Sequence, residues 1–201
     1  WRLFDLLQEE AKPKLELNLN SNLGVKPALV EKLATNVKSL VENKKIKNFK
    51  LFSSLDSWGK KAEYIRTGLK TELWEQNLET YIATTNAPVS IMCTFNILSV
   101  TSFTDFLQKV LDWRAKYQQK LNPGGYGRRI RFDTPYLKEP LQYDMMILPK
   151  DEFLPYFDKI LDFINNNKDD YDATKFTELE YQKFRRVRDY FATSNYDEER
   201  V

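Results

Sequence analysis

The sequence predicts an α/β fold in which parallel strands alternate with helices. Four short segments have the composition of strands, and their centres near Leu17, Leu51, Met92 and Arg131 follow one another at intervals of 34, 41 and 39 residues. Segments with helical periodicity fill these intervals. Strands that are joined by helical connections of this length lie parallel, and their crossovers are right-handed.

The strands themselves are indicated by alternation and by apolar runs. The first strand alternates leucine with polar residues, a period of two that indicates one apolar and one polar face. The third is almost entirely apolar as far as Thr94, which is typical of a strand covered on both faces. The four strands are expected at residues 14–20, 49–55, 89–96 and 129–133.

Helical patterns precede and follow these strands. A first helix begins at Trp1 without a capping residue, so we expect further sequence upstream of it. We expect residues 122–127, with three glycines, to form a loop and residues 134–149, with three prolines, to be irregular. The other helices are expected from Pro27, around Ala62, from Thr71 to Thr84, over residues 101–119, up to about Asn167 and over residues 173–192.

The composition excludes several kinds of site. The chain has no histidine and a single cysteine, Cys93. Its own residues therefore cannot form a histidine-dependent nucleophile, a Cys/His zinc site or a cysteine-ligated iron–sulfur cluster. The net charge of +2 gives no strong signal for nucleic acid, and no apolar run reaches the roughly 18 residues of a membrane span. One cysteine is typical of a reducing compartment, so we expect a cytoplasmic location.

Polar side chains follow each predicted strand at the point where the strand ends. Ligands bind at the carboxyl ends of the strands in parallel α/β folds. The same residue types also cap helices and form turns, which is the better explanation for any one of these ends, but four such ends together make a shared ligand site an equally good explanation. The polar residues at these ends are Asn20, Ser21 and Asn22; Ser53, Ser54 and Asp56; Thr94 and Asn96; and Asp133 and Thr134.

The residues after the second strand are suited to specific contacts. Asp56 is able to accept both hydroxyls of a ribose, and Ser54 is able to hydrogen-bond to the same sugar. Arg66 is suited to pair with a ligand carboxylate, although a solvated helix residue accounts equally for its position. Trp58 is expected to pack in the core rather than to stack on a ligand.

The motifs, in their order and spacing, resemble those of radical S-adenosylmethionine enzymes of the SPASM/twitch group. SSLDSWGKKAEYIRTG, residues 53–68, resembles a strand that ends in Ser-Leu-Asp-Gly and a following helix with an arginine and then a glycine. LNLNSNLG, residues 17–24, resembles a strand that ends in Thr-Asn-Gly. VSIMCTFNILS, residues 89–99, resembles the fifth strand, and Asn77 resembles an asparagine of the helix before it. The resemblance covers most of residues 1–165.

This resemblance implies a partial (β/α)6 TIM-like barrel with parallel strands over residues 1–167. The barrel would be truncated at its N-terminal side and followed by a C-terminal helical extension over residues 168–201. The parent protein would bind a [4Fe-4S] cluster on a Cys-x3-Cys-x2-Cys loop and cleave S-adenosylmethionine to a 5′-deoxyadenosyl radical. That loop would precede Trp1 and Cys93 does not replace it, so this chain alone is expected to be inactive. The implied substrate is a peptide or protein.

The resemblance also implies roles for single residues. Ser54 would approach the ribose or methionine part of the cofactor, and Arg66 would pair with its carboxylate. Leu23 and Ser57 stand where the family usually has glycine, so both local turns are expected to differ. The candidate cofactor-binding residues are Asn22, Ser54, Asp56, Arg66 and Asn96, and this chain offers no candidate metal ligand or catalytic group.

The alternative is a non-catalytic α/β module that contacts protein or nucleic acid. Residues 121–132, LNPGGYGRRIRF, place glycines before Arg128, Arg129 and Arg131, which suits contacts with phosphate. A loop followed by solvated arginines accounts for the same pattern. The last helix, with Arg185, Arg186 and Arg188, is either a partner surface or a cover for the sheet edge.

Overall fold

Four parallel strands form one sheet in the same order as they occur along the chain. The structure, a computed structural model, describes residues 1–117 and 128–193. The prediction of an α/β fold with parallel strands is confirmed. The strands are β1 (Lys12–Ser21), β2 (Ile46–Ser54), β3 (Val89–Met92) and β4 (Ile130–Asp133).

Seven α-helices lie within the described ranges, and most begin where the sequence indicates. Pro27 occupies the first turn of the second helix, where its missing N–H is not needed. The last helix begins at Glu178 rather than at residue 173. Thr177 and Glu180 form a reciprocal capping box there, which the prediction missed. The helices are α1 (Arg2–Glu9), α2 (Pro27–Glu42), α3 (Lys60–Ile65), α4 (Thr71–Thr84), α5 (Phe103–Tyr117), α6 (Lys150–Asn166) and α7 (Glu178–Thr193).

β3 ends at Met92, so the predicted extension of this strand to residue 96 is wrong. The amide of Cys93 still donates to the carbonyl oxygen of Asp133 on β4, at 2.8 Å. The next residue, Thr94, donates its amide to the Asp56 carboxylate at 2.9 Å. This side-chain acceptor interrupts the regular ladder after Met92, and a single parallel bridge between Phe95 and Tyr136 follows it.

The two faces of the sheet differ in what covers them. Right-handed crossovers between strands in sequential order place their connecting helices on the same face. On this covered face Phe49, Leu51 and Ile91 are buried, and Trp74 of α4 donates its indole N–H to Ser53. We call the other face the open face. It comprises Asn18 and Asn20 of β1, Lys50, Phe52 and Ser54 of β2, and their neighbours Ser90, Met92, Arg131 and Asp133 on β3 and β4.

Helices α6 and α7 pack beside β4 and complete the hydrophobic core. Phe184 of α7 contacts the rings of Phe95, Phe103 and Phe157 at centroid distances of 5.4–6.4 Å. Val187 and Phe191, which lie one and two turns further along the helix, are also buried. The last helix thus turns its apolar face to the core, which favours the second of the two interpretations of its sequence, a covering helix. None of the helices in the described ranges is long and apolar enough to cross a membrane.

The arginines before β4 are neither solvated nor placed to contact phosphate. Arg128 is buried and donates to the carbonyl oxygens of Lys175 and Asp172 at 2.6 and 2.7 Å. Arg129 donates to the carbonyl oxygens of Thr85 and Tyr117. Both side chains therefore hold the α6–α7 connection and the end of α4 to the sheet. The glycines at residues 124–127 lie outside the described residues.

Candidate functional site

The register of the sheet brings the strand ends to one level. Ser21, Ser53, Ile91 and Phe132 are paired across the four strands in one row. The next row pairs Ser54 of β2 with residues 92 and 133 on β3 and β4. We call the loops that follow these rows, together with the last residue of each strand, the carboxyl edge. Of the predicted site residues, Ser54 ends β2, Asn22, Asp56 and Asn96 lie in the loops after strands, and Arg66 follows α3.

Asp56 lies at the centre of the carboxyl edge and is almost completely buried. Its Oδ1 accepts hydrogen bonds from Arg66 Nη2 and from the amide of Thr94, both at 2.9 Å. Arg66 Nε lies 2.7 Å from Oδ2, but its N–H does not point at that oxygen, so this second contact is purely ionic. The carboxylate therefore ties the loop after β2 to the end of α3 and to the loop after β3.

The position of Arg66 depends on how α3 ends. Arg66 follows the last residue of the helix with extended backbone angles, and Gly68 adopts a φ of +85° that favours glycine. The guanidinium lies against Asp56. The sequence did not indicate this pairing, because Asp56 and Arg66 were each predicted to contact a ligand. About a third of the Arg66 side chain stays exposed, so it keeps donors for a second partner.

The two serines at the end of β2 have different environments. Ser53 faces the covered side, where its hydroxyl oxygen accepts from the Trp74 indole at 3.0 Å. Ser54 lies on the open face and is half-buried. No residue within 1–117 or 128–193 forms a hydrogen bond to the Ser54 hydroxyl. Ser54 is therefore the candidate residue with the most capacity left for a ligand.

The two candidate asparagines both shape their own loops. Asn22 is exposed and accepts from the amide of Gly24 at 3.0 Å. Asn96 is buried, accepts from the amide of Leu98 at 3.0 Å and donates to the carbonyl oxygen of Thr94 at 2.9 Å. These are the turn contacts that asparagine side chains commonly make. Asn22 keeps its amide N–H groups for a ligand, whereas both ends of the Asn96 side chain are engaged.

Asn77 of α4 holds one loop of the carboxyl edge in place through hydrogen bonds. It is fully buried in α4, and its side-chain nitrogen donates to the carbonyl oxygens of Leu23 and Val25, both at 2.8 Å. This fixes the loop after β1 against the helix after β2. An asparagine among the apolar residues of a helix is the sequence signal for such an anchor, because a buried amide needs partners.

Leu23, next to Asn22, combines strain with burial. Its φ of +52° lies in the left-handed region, and its side chain is fully buried. Replacing it with glycine would remove about 1–2 kcal/mol of strain but also about 2–5 kcal/mol of packing. We therefore expect Leu23→Gly to lower the free energy of unfolding by about 1–3 kcal/mol. Urea denaturation measures this change, and a stabilised variant would contradict it.

The residues that the structure describes offer no metal centre. They contain no group of three potential ligands placed to hold an ion. Cys93 is completely buried, and burial together with the nearby Asp56 carboxylate raises the pKa of its thiol. A thiol in this environment is inert as a ligand. This chain therefore does not fit an iron–sulfur cluster by itself.

No model of a protein family, no curated protein and no solved structure matches this chain. The function must therefore be argued from the sequence motifs and from the geometry of the carboxyl edge.

Proposed function

We propose that this chain is part of a radical S-adenosylmethionine enzyme of the SPASM/twitch group and supplies one wall of its cofactor site. The observation that carries the proposal is the carboxyl edge, where four sequential parallel strands end beside a preorganised loop and the hydroxyl of Ser54, to which no described residue bonds. The motifs that resemble the family lie at this edge. Ligands bind at this edge in barrels of parallel strands.

The strand order supports a partial barrel as part of this proposal. A barrel keeps its strands in sequential order and covers only their outer face with helices, whereas a doubly wound sheet reverses order and is covered on both faces. The sheet has sequential order and one face that carries polar residues such as Lys50, Ser54 and Asp133. In the proposed barrel this open face lines the interior, and the described residues 168–193 belong to the helical extension.

In this proposal some candidate residues contact the cofactor, and the others hold the loops of the site in place. Ser54 hydrogen-bonds to the ribose or methionine part of the cofactor, and Asn22 contacts it through its free amide N–H groups. Asp56 and Asn96 hold the loops in place, because their acceptors are already occupied by Arg66, Thr94 and Leu98. Arg66 pairs with the cofactor carboxylate through those of its N–H groups that do not contact Asp56.

The iron–sulfur cluster would be held by cysteines of the parent protein outside this chain. When bound, the cluster supplies the electron that cleaves S-adenosylmethionine. Within this chain, the residues of the carboxyl edge bind and orient the cofactor. A cytoplasmic location belongs to the same proposal, since reduced clusters and free thiols persist in reducing compartments. A peptide or protein remains the proposed substrate class.

The role of Ser54 is tested by the affinity of the anaerobically reconstituted parent for S-adenosylmethionine. We expect Ser54→Ala to weaken binding about fivefold, since it removes one hydrogen bond worth about 1 kcal/mol. Ser39→Ala is the matched control, because Ser39 is also half-buried but lies on the outer helix α2. The control should bind as the natural protein does. Equal affinity of the Ser54 variant would exclude the contact.

A non-catalytic module that binds nucleic acid is less well supported. Its main sequence feature was the run of arginines before and within β4, and Arg128 is buried against backbone carbonyl groups. Arg129 and Arg131 likewise donate to carbonyl oxygens within the chain. The contacts that would bind phosphate backbones are thus used to hold the fold together.

A further inference from the structure

The connection between α6 and α7 closes on itself and directs its carbonyl oxygens at a buried arginine. The amide of Asp169 donates to the carbonyl oxygen of Phe176 at 3.0 Å, which closes the loop. Arg128, which precedes β4, donates to the carbonyl oxygens of Asp169 and Asp172 at 2.5 and 2.7 Å. It also donates to those of Lys175 and Phe176 at 2.6 and 3.4 Å. Four carbonyl groups of one short loop thus converge on a single guanidinium.

A second buried guanidinium, that of Arg114 on α5, binds the rest of the same loop. Its Nη1 donates to the carbonyl oxygen of Lys175 at 2.8 Å and to Glu180 Oε2 at 3.3 Å. Its Nη2 donates to Glu180 Oε1 at 2.6 Å. Both Arg114 and Glu180 are buried. The loop therefore turns carbonyl and carboxylate oxygens inward, and two arginine side chains are the cations that these oxygens bind.

Carbonyl oxygens and a bidentate carboxylate are also the ligands that calcium takes in proteins. The calcium loop of helix–loop–helix proteins supplies a carbonyl oxygen from its seventh residue and both oxygens of a glutamate from its twelfth, and it begins with an aspartate. Counted from Asp169, Lys175 is the seventh residue and Glu180 the twelfth. These are the two loop residues that Arg114 binds, so its guanidinium contacts the same two ligand positions as a calcium ion does.

The loop differs from a calcium loop at the positions that supply the remaining ligands. The third and fifth residues, usually Asp or Asn, are Tyr171 and Ala173, and the sixth, usually Gly, is Thr174. The Asp169 and Asp172 carboxylates accept from loop amides, those of Tyr171 and Thr174, both at 2.8 Å. The loop thus lacks oxygen ligands that calcium needs, whereas the N–H groups of two guanidiniums match the oxygens that it retains.

We propose that residues 169–180 form a calcium-type loop in which the guanidinium groups of Arg114 and Arg128 take the place of the metal ion. A metal ion that enters or leaves such a loop changes the angle between its helices. A cation that is part of the chain does not leave, so α6 and α7 keep one arrangement at any calcium concentration. The inference does not depend on the proposed function, because Arg128 lies before β4, at the opposite end of this strand from the carboxyl edge.

The test restores the missing ligands with and without the arginines. The first variant carries Tyr171→Asp, Ala173→Asp and Thr174→Gly, and the second carries the same changes together with Arg114→Met and Arg128→Met. We expect the second variant to bind terbium and calcium ions with a dissociation constant of about 1 mM or lower, the range of weak natural calcium loops. The first is the matched control and should bind at least about tenfold more weakly, because its arginines repel a cation. Terbium luminescence and its displacement by calcium measure both affinities.

Folding of these chains is followed by circular dichroism in calcium and in EDTA. The second variant should melt at a higher temperature in calcium, or fold only when calcium is added, since an ion bound to the folded state stabilises it. The natural chain should melt at the same temperature in both. The proposal is overturned by equal terbium affinities of the two variants, by a second variant that binds no terbium at millimolar concentration, or by stabilisation of the natural chain by calcium.

Discussion

Replacing Arg114 with methionine is expected to lower the free energy of unfolding by about 3–5 kcal/mol, since it leaves a buried carboxylate without its partner. The Arg114 side chain is completely buried in α5, and its Nη2 lies 2.6 Å from Oε1 of Glu180 on α7. It also donates to the carbonyl oxygens of Ile130 and Lys175 at 3.0 and 2.8 Å. One guanidinium thus joins α5, β4 and the start of α7.

Glu180 contributes to stability both through its ion pair with Arg114 and through the cap that it forms with Thr177. Substitutions at these residues measure the two contributions separately. Thr177→Ala removes only the capping hydroxyl and should cost about 1 kcal/mol. The double variant Arg114→Met, Glu180→Gln should be less destabilised than the sum of the two single changes, because no unpaired charge is left. Chemical denaturation of the natural chain, Thr177→Ala, Arg114→Met, Glu180→Gln and the double variant measures these differences. A loss of less than about 1 kcal/mol for Arg114→Met would contradict the assigned role.

Replacing Asp56 with alanine is expected to destabilise the chain by about 3 kcal/mol. The change removes the ion pair with Arg66 and leaves the Thr94 amide without its acceptor, and each loss costs about 1–3 kcal/mol for partly buried groups. Asp56→Asn keeps an acceptor for Thr94 but loses the charge, so its cost should be intermediate. Denaturation midpoints measure both changes.

Ser54→Ala is compared with Asp56→Ala to distinguish a residue that could contact a ligand from one that stabilises the loops of the carboxyl edge. Its hydroxyl bonds to no described residue, so the substitution should change stability by less than about 0.5 kcal/mol. A stable Asp56→Ala variant would show that the Asp56–Arg66 pair does not organise this edge. An unstable Ser54→Ala variant would show that Ser54 has a structural partner.

The sequence was sufficient to predict the parallel α/β fold because the strands and helices have clear periodicity. Pro27 marks the start of α2, and α4 has the predicted bounds. The end of β3 was mispredicted since an apolar run continues past Met92, whereas the regular ladder is interrupted where the Thr94 amide donates to Asp56. Thr177 and Glu180 did contain the signal for the start of α7, as a capping box.

The position of the candidate site was predictable from the sequence, but the contacts among its residues were not. Polar residues after parallel strands must lie at one edge, which places Asn22, Ser54 and Asn96 there. That Asp56 and Arg66 bond to each other requires the segment between them to fold back on itself, which no spacing rule reveals.

Formation of 5′-deoxyadenosine is the most direct test of whether this chain belongs to a radical S-adenosylmethionine enzyme. The measurement uses the parent protein that contains this chain, reconstituted anaerobically with iron and sulfide and supplied with S-adenosylmethionine and a reductant. We expect 5′-deoxyadenosine to form, and to form more slowly at limiting cofactor when Ser54 is alanine but not when Ser39 is alanine. A parent protein that lacks the three-cysteine loop, or that yields no 5′-deoxyadenosine when its cluster is loaded, would contradict the assignment.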